Sequence, residues 1–206
     1  MQDKWIYDEF KQIGVDYSKN DIASDYDNQH NDFRNYEQEV KAFLDEIDDK
    51  NFKELTAIDF GCGTGAFSIY ASRYFKNIFA IDISNEMLIK AKEKARNDKI
   101  TNIEFINSGF LSYRHKADNV DIIITKYAFH HLSDFWKQIG LINMNKMMKV
   151  GGILYIHDVV FQFNPVDYKS KINEWIDGYS DKLSSEFLEE FEIHIRDEFS
   201  TFDWIL

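Results

Sequence analysis

The stretch Asp59-Phe-Gly61-Cys-Gly63-Thr-Gly65 constrains the fold of this chain more than any other. A short apolar, β-branched run, Leu55-Thr-Ala-Ile-Asp-Phe60, enters it, and a segment of helical periodicity leaves it. Three glycines at alternate positions let the backbone turn tightly and approach a ligand without Cβ clashes. The helix that follows points its free N–H groups into the same space. A strand, a glycine turn and a helix in this order are the opening of a βαβ unit.

The rest of the centre repeats that alternation. Strand-like runs occupy Asn77 to Ile83, Asn102 to Asn107, Val120 to Thr125 and Gly152 to Phe161. Continuous apolar runs of this kind suit strands covered on both faces. Between them lie helical stripes: Phe67, Tyr70, Ala71 and Tyr74; then Met87, Leu88, Ala91 and Ala95 behind a Ser84 cap. A third stripe, Phe135, Trp136, Ile139 and Ile142, follows Ser133 and is expected to end at Lys149-Val-Gly151. Val40, Phe43, Leu44 and Ile47 form another stripe before the first strand. The predicted class is α/β, a doubly wound Rossmann-like, mostly parallel sheet with five readable strands.

Composition narrows the setting. One cysteine rules out a disulfide scaffold and a Cys-rich zinc module. No run approaches the ~18 apolar residues of a membrane helix, and the first residues lack a signal-peptide core. A cytoplasmic protein with no membrane partner is expected. The net charge of −12 is uneven: residues 1–50 carry −8, residues 51–180 carry +2 and residues 181–206 carry −6. Acidic ends repel phosphate backbones and make nucleic acid an unfavoured partner.

Two carboxylates bracket the glycine turn, and they separate two ligand classes. Gly61-x-Gly63-x-x-Ala66 with Asp82 satisfies the dinucleotide fingerprint formally. Yet the third glycine comes one position early, and Asp59 two residues before the first glycine would repel a pyrophosphate. It would attract an ammonium group instead. Asp82 closes the second strand, where a carboxylate can accept both hydroxyls of a ribose. A ligand with a ribose at one end and a charged amino acid at the other, such as S-adenosylmethionine, fits the pair.

The sequence resembles the class I S-adenosylmethionine-dependent methyltransferase family over about residues 52–163. The resemblance rests on Ile58-Asp-Phe-Gly-Cys-Gly-Thr-Gly65, Ala80-Ile-Asp-Ile-Ser-Asn-Glu-Met-Leu88, Val120-Asp-Ile-Ile-Ile-Thr with Ala128-Phe-His-His-Leu132, and Met148-Lys-Val-Gly-Gly-Ile-Leu154. It implies that Asp59, Gly61, Cys62, Gly63, Thr64 and Gly65 line the methionine end, that Asp82 holds the ribose, and that Ile83 and Met87 flank the adenine. Many family members carry an acid just after the third strand to accept from the adenine amino group. Here Asn107-Ser-Gly-Phe110 has none, so Ser108 or a backbone carbonyl is expected to substitute, with Gly109 and Phe110 also in the expected cofactor set. Thr125 completes the expected cofactor set, and Tyr26 is expected to cover it from a lid.

The implied reaction is methyl transfer to a small-molecule acceptor by in-line displacement, in which positioning can supply much of the rate. His130, His131 and Tyr127, past the fourth strand, are the candidate catalytic residues. Adjacent histidines are not expected to share one helix face, and His157 and Asp158 are expected to point to opposite faces of their strand. No metal site is expected, because no histidine pairs with acids at ligand spacing along the sequence. A binding module that holds the cofactor without transfer is the alternative, as is methylation of protein or nucleic acid.

The expected layout is a helical lid segment over 1–50, the cofactor-binding core over 51–163 and a mainly helical tail over 164–206. Phe187, Leu188 and Phe191 suit a helix, while Phe191, Ile193 and Ile195 also suit a short strand. Ser200-Thr-Phe-Asp203 reads as a capping box close to the last residue. The chain is therefore expected to stop short of the last helix and strand pair of the family sheet. That would leave the fifth strand as an apolar edge through which a homodimer can form.

Overall fold

The computed structural model describes residues 5–11, 34–47, 51–180 and 185–199. Five strands, β1 (Thr56–Phe60), β2 (Asn77–Asp82), β3 (Ile103–Asn107), β4 (Val120–Lys126) and β5 (Met148–His157), form one sheet in the order β3-β2-β1-β4-β5. Every pairing is parallel. The strand order reverses at β1, between β2 and β4, which opens a crevice beyond its carboxyl end.

Period-two alternation sends the β1 side chains into two separate layers. Ala57 packs with Val40, Phe43, Phe67, Phe75, Leu88, Ile122 and Ile124 on one face. Ile58 and Phe60 pack with Ile81, Phe110, Ile123, Phe129, Met144 and Met147 on the other. The first layer is covered by α1 (Tyr36–Glu46), α2 (Ala66–Ala71) and α3 (Asn85–Asn97), and the second by α4 (Asp134–Met147). Two further helices, α5 (Tyr168–Ser180) and α6 (Ser185–Asp197), pack on each other after the sheet. The alternating residues Phe191, Ile193 and Ile195 therefore lie in a helix, not a strand.

Two boundaries differ from those expected. β5 begins at Met148, directly after α4, and includes Lys149, Val150 and Gly151. The register explains it: Met148 pairs with Val120, Ile153 with Ile122, and the irregularity between them absorbs the extra residues with Gly151 at φ +78°. The N-terminal boundary also shifts. Val40 and Phe43 are fully buried in the first layer, so α1 is part of the core and the division at residue 50 does not separate it.

Phe43 is the centre of that layer. Its ring lies 5.7 Å from Phe67, 6.3 Å from Phe75 and 4.9 Å from Tyr155, the first and last edge-on. Truncating a buried phenylalanine loses both transfer free energy and packing. Phe43→Ala is expected to cost about 3–5 kcal/mol in urea denaturation, whereas Phe135→Ala, at an exposed position of α4, is expected to stay within about 0.5 kcal/mol.

Candidate active site

The glycine turn leaves β1 with Gly61, Gly63 and Gly65 all left-handed, at φ +72°, +53° and +73°. At two of them sterics also exclude a side chain. A Cβ on Gly61 would fall on the Cβ of Ala128, and one on Gly65 would meet the Cβ of Ala91 at 2.9 Å. The turn is pinned to β2, since the Gly61 and Cys62 N–H groups donate to the Ile81 carbonyl at 2.8 and 3.0 Å.

Asp82 closes β2 and locks the same turn. One carboxylate oxygen accepts from the Gly63 N–H and the other from the Ser84 N–H, each at 2.8 Å. Burial raises its pKa, and those backbone donors oppose the rise. Each oxygen keeps a lone pair for a further donor.

Asp59 lies two residues before the turn, only 3% exposed. The Ser68 hydroxyl of α2 donates to it at 2.5 Å. Burial pushes its pKa up to about 7, against the Ser68 bond and the charge of Lys126. A carboxylate in this state favours a cationic partner. Cys62 is buried and burial pushes its thiol well up, so it is a neutral neighbour and not a nucleophile.

A cleft with about 50 Å³ of space opens on this turn, lined by Asp59, Gly61, Cys62, Gly63 and Thr64. Arg34, Tyr36, Phe67, Lys126 and Tyr127 line it too. Arg34 and Lys126 were not marked by the sequence, and both are held by one acid of α1. Glu39 accepts from Arg34 at 2.8 and 2.7 Å and from Lys126 at 2.6 Å. Burial alone would raise the Glu39 pKa, but these two cations outweigh it and hold it at about 2. Arg34 also lies over the rings of Tyr36 and Tyr127, 4.6 and 4.9 Å from their centroids. Tyr127 is left-handed at φ +52° and meets His157 Nε2 through its hydroxyl at 2.9 Å.

Past β3, Ser108 bonds the Ser112 hydroxyl at 2.9 Å. Phe110 stacks on Phe60 at 5.1 Å, and Met87 is 2% exposed, so both are core side chains. Gly109 has an acid beside it after all. Glu9 reaches from the N-terminal segment, is buried, and accepts from the Leu111 and Ser112 N–H groups at 2.9 and 2.7 Å. Its carboxylate fills the space where a side chain on Gly109 would stand, next to Ile83. Thr125 is fully buried at the end of β4 and its hydroxyl has no partner among the described residues. Tyr26 lies outside the described residues.

His130 and His131 sit on a 3-10 turn, Phe129–His131, and their rings are 4.3 Å apart between centroids. Both turn toward Glu198, a carboxylate that follows α6. The expectation that adjacent histidines diverge applies to an α-helix and fails on this tighter turn. His130 also pairs with Asp158 just past β5, at 2.6 Å through Nδ1. His157 and Asp158 do reach different neighbours, Tyr127 and His130.

With this geometry in view, comparisons with known proteins define the class. A family profile described as a methyltransferase domain matches residues 51–198. The chain belongs to that methyltransferase-domain family. An uncharacterized methyltransferase from Bacillus thuringiensis is 26% identical over 161 residues, which cover 77% of this chain and 66% of that relative. The chain thus spans just under two thirds of the relative's length. Among solved structures, DhpI in complex with SAH superposes with a TM-score of 0.57 at 20% identity, over 69% of this chain and 66% of that one. SAM-bound CalS10, an amino pentose methyltransferase from Micromonospora echinaspora, gives 0.58 at 16% identity, over 66% of this chain and 56% of that one. These likenesses establish the α/β Rossmann-like fold. No described helix is long and apolar enough to cross a membrane.

The Glu39 cluster carries a pH signature. A carboxylate whose folded pKa lies below its unfolded value stabilises the fold above the unfolded value, and loses that effect as pH falls through the folded one. Wild type is expected to exceed Glu39→Gln in stability fully above about pH 4.5, with the difference vanishing toward pH 2. Urea denaturation of both proteins across that range checks it.

Proposed function

We propose that this chain binds S-adenosylmethionine across the β1 and β2 ends and transfers its methyl group to a small-molecule acceptor. The observation that carries the reading is the pair Asp59 and Asp82, set on either side of a glycine turn that leaves the backbone open to a ligand. The sulfonium of that ligand supplies an electrophilic methyl group. Asp59 is matched to its ammonium, and Arg34 and Lys126, the cations of the same cleft, are matched to its carboxylate. Asp82 accepts from the ribose hydroxyls with its remaining lone pairs.

The cleft holds about 50 Å³, well under the roughly 300 Å³ that ligand pockets start from. A lid over this cleft, expected of the segment that carries Tyr26, belongs to the same reading. The order of Asp59, glycine turn and Asp82 supports this reading over a nicotinamide one. CalS10, described as an amino pentose methyltransferase, supports a small-molecule acceptor. Tyr127 walls the cleft, and His130 and His131, past the same strand, stand toward the acceptor. The work of the protein is to align the acceptor with the methyl group and exclude water. Self-association along the exposed edge of β5 belongs to the same reading, and sedimentation of the chain tests it.

The adenine end is assigned to Glu9. Its carboxylate occupies the place of the side chain that Gly109 lacks, beside Ile83. It thus provides, from the other end of the chain, the acceptor that the Asn107-Ser-Gly-Phe110 stretch does not.

Calorimetric titration with S-adenosylmethionine and S-adenosylhomocysteine tests the whole. Asp59 must be ionised to hold an ammonium, so affinity is expected to fall about tenfold per pH unit below pH 7. Asp59→Asn is expected to abolish that dependence and to bind at least tenfold more weakly at pH 8. Absence of binding to either form at any pH overturns the reading. Glu9→Gln is expected to weaken the adenosyl ligand about five- to thirtyfold while leaving an inosyl analogue, which has no amino group, unchanged. Tighter binding by Glu9→Gln would make Glu9 a plug of the site and not part of it.

A further inference from the structure

The cluster formed by His130, His131 and Glu198 lies outside the lining of the cleft at the glycine turn, and its donor atoms are close enough together to hold a metal ion. One donor atom from each, His130 Nε2, His131 Nδ1 and a Glu198 oxygen, lies within 4.8 Å of the others. His130 Nε2 stands 3.6 Å and His131 Nδ1 3.0 Å from Glu198 Oε2. Tetrahedral coordination with bonds of about 2.0–2.2 Å separates neighbouring donors by about 3.3–3.6 Å. The 3.6 Å distance lies at that spacing and is too long for a hydrogen bond, whereas the 3.0 Å distance is that of a hydrogen bond and opens by a few tenths of an ångström to reach it.

The surroundings prepare His130 for this role. Its Nδ1 is 2.6 Å from the Asp158 carboxylate, which can only accept, so the ring proton sits there. Nε2 is then the ring atom that faces Glu198. It is buried, on a residue 6% exposed, and has no hydrogen-bond partner among the described residues. A buried polar nitrogen left unpaired beside a carboxylate is unfavourable, and a metal ion between the two would satisfy both. A carboxylate behind a ligating imidazole is the arrangement that orients histidines on metals. Glu198 is itself 1% exposed, and His194 Nδ1 bonds it from α6 at 2.6 Å, which orients the carboxylate in turn.

We propose that His130, His131 and Glu198 bind a divalent first-row transition ion of the zinc class, with Asp158 and His194 as positioning residues. Two imidazoles and one carboxylate suit such ions, whereas Mg²⁺ and Ca²⁺ take oxygen ligands. On binding, His131 releases to solvent the Nδ1 proton it shares with Glu198 and takes one up on Nε2, so that Nδ1 ligates the metal and the ring stays neutral. Three protein ligands leave one position open, which takes an oxygen or nitrogen of a small ligand. The proposal goes beyond methyl transfer and does not depend on it.

The test is calorimetric titration of the untagged chain with Zn²⁺, and with Mg²⁺ as control. One equivalent of Zn²⁺ is expected to bind, to raise the Tm and to leave Mg²⁺ without effect. His131→Ala, at a partly exposed position, is expected to fold and to lose at least tenfold in Zn²⁺ affinity. Asp158→Asn is expected to lose about tenfold to a hundredfold while all three ligands remain. Glu198→Gln is expected to abolish binding; if it does not fold, His131→Ala decides. No Zn²⁺ binding, or binding unchanged by His131→Ala, overturns the proposal and leaves His130 as an imidazolium held by two acids. S-adenosylhomocysteine affinity measured on the same variants separates this result from failure of the methyltransferase reading.

Discussion

The two hydrogen bonds of the Asp82 carboxylate hold the cofactor end of this molecule together. One ties the glycine turn through Gly63, and the other ties the start of α3 through Ser84. A single side chain thus fixes two loops that leave the sheet at adjacent strands. The left-handed glycines make the turn possible, but Asp82 selects one of the conformations they allow. The N–H groups it satisfies would otherwise face the crevice unpaired, at a cost comparable to a lost hydrogen bond.

Charge placement around that turn follows from burial. Asp59 and Asp82 are both raised by desolvation, yet in different company. Asp82 has backbone donors, whereas Asp59 has one hydroxyl and the distant charge of Lys126. Asp59 is therefore the poorly compensated acid and the one that gains most from a cationic ligand. Glu39 shows the opposite balance: two cations overcome its burial and keep it ionised. Glu39, behind two cations that line the cleft, is thus committed to the protein, while Asp59, in the lining itself, is poorly compensated.

What was legible in the sequence is what is local. The glycine turn, Asp59 and Asp82 lie within about two dozen residues, and strand period and glycine spacing place them without tertiary information. The five strands were legible for the same reason, while the β5 start was not, because it depends on pairing across an irregularity with β4. Glu9 with Leu111, Lys126 with Glu39 and His130 with Asp158 join residues 102, 87 and 28 positions apart. No periodicity encodes such contacts. The missing acid after β3 was a signal, since the space beside Gly109 is open to an acceptor from elsewhere, but nothing in the sequence pointed to Glu9.

Two kinds of order therefore build this molecule. The glycine turn and its two acids rest on short-range order, in which each group is placed by its own strand or turn. The cluster at His130 and His131 rests on long-range order, in which Glu198, after α6, is buried against histidines that follow β4. Burial alone would raise the Glu198 pKa, yet the three histidines overcome it and keep the acid ionised. A buried charge held in part by partners distant in the chain is better compensated when the tail is docked than when it is not. Docking of α6 and completion of the histidine cluster are consequently one event.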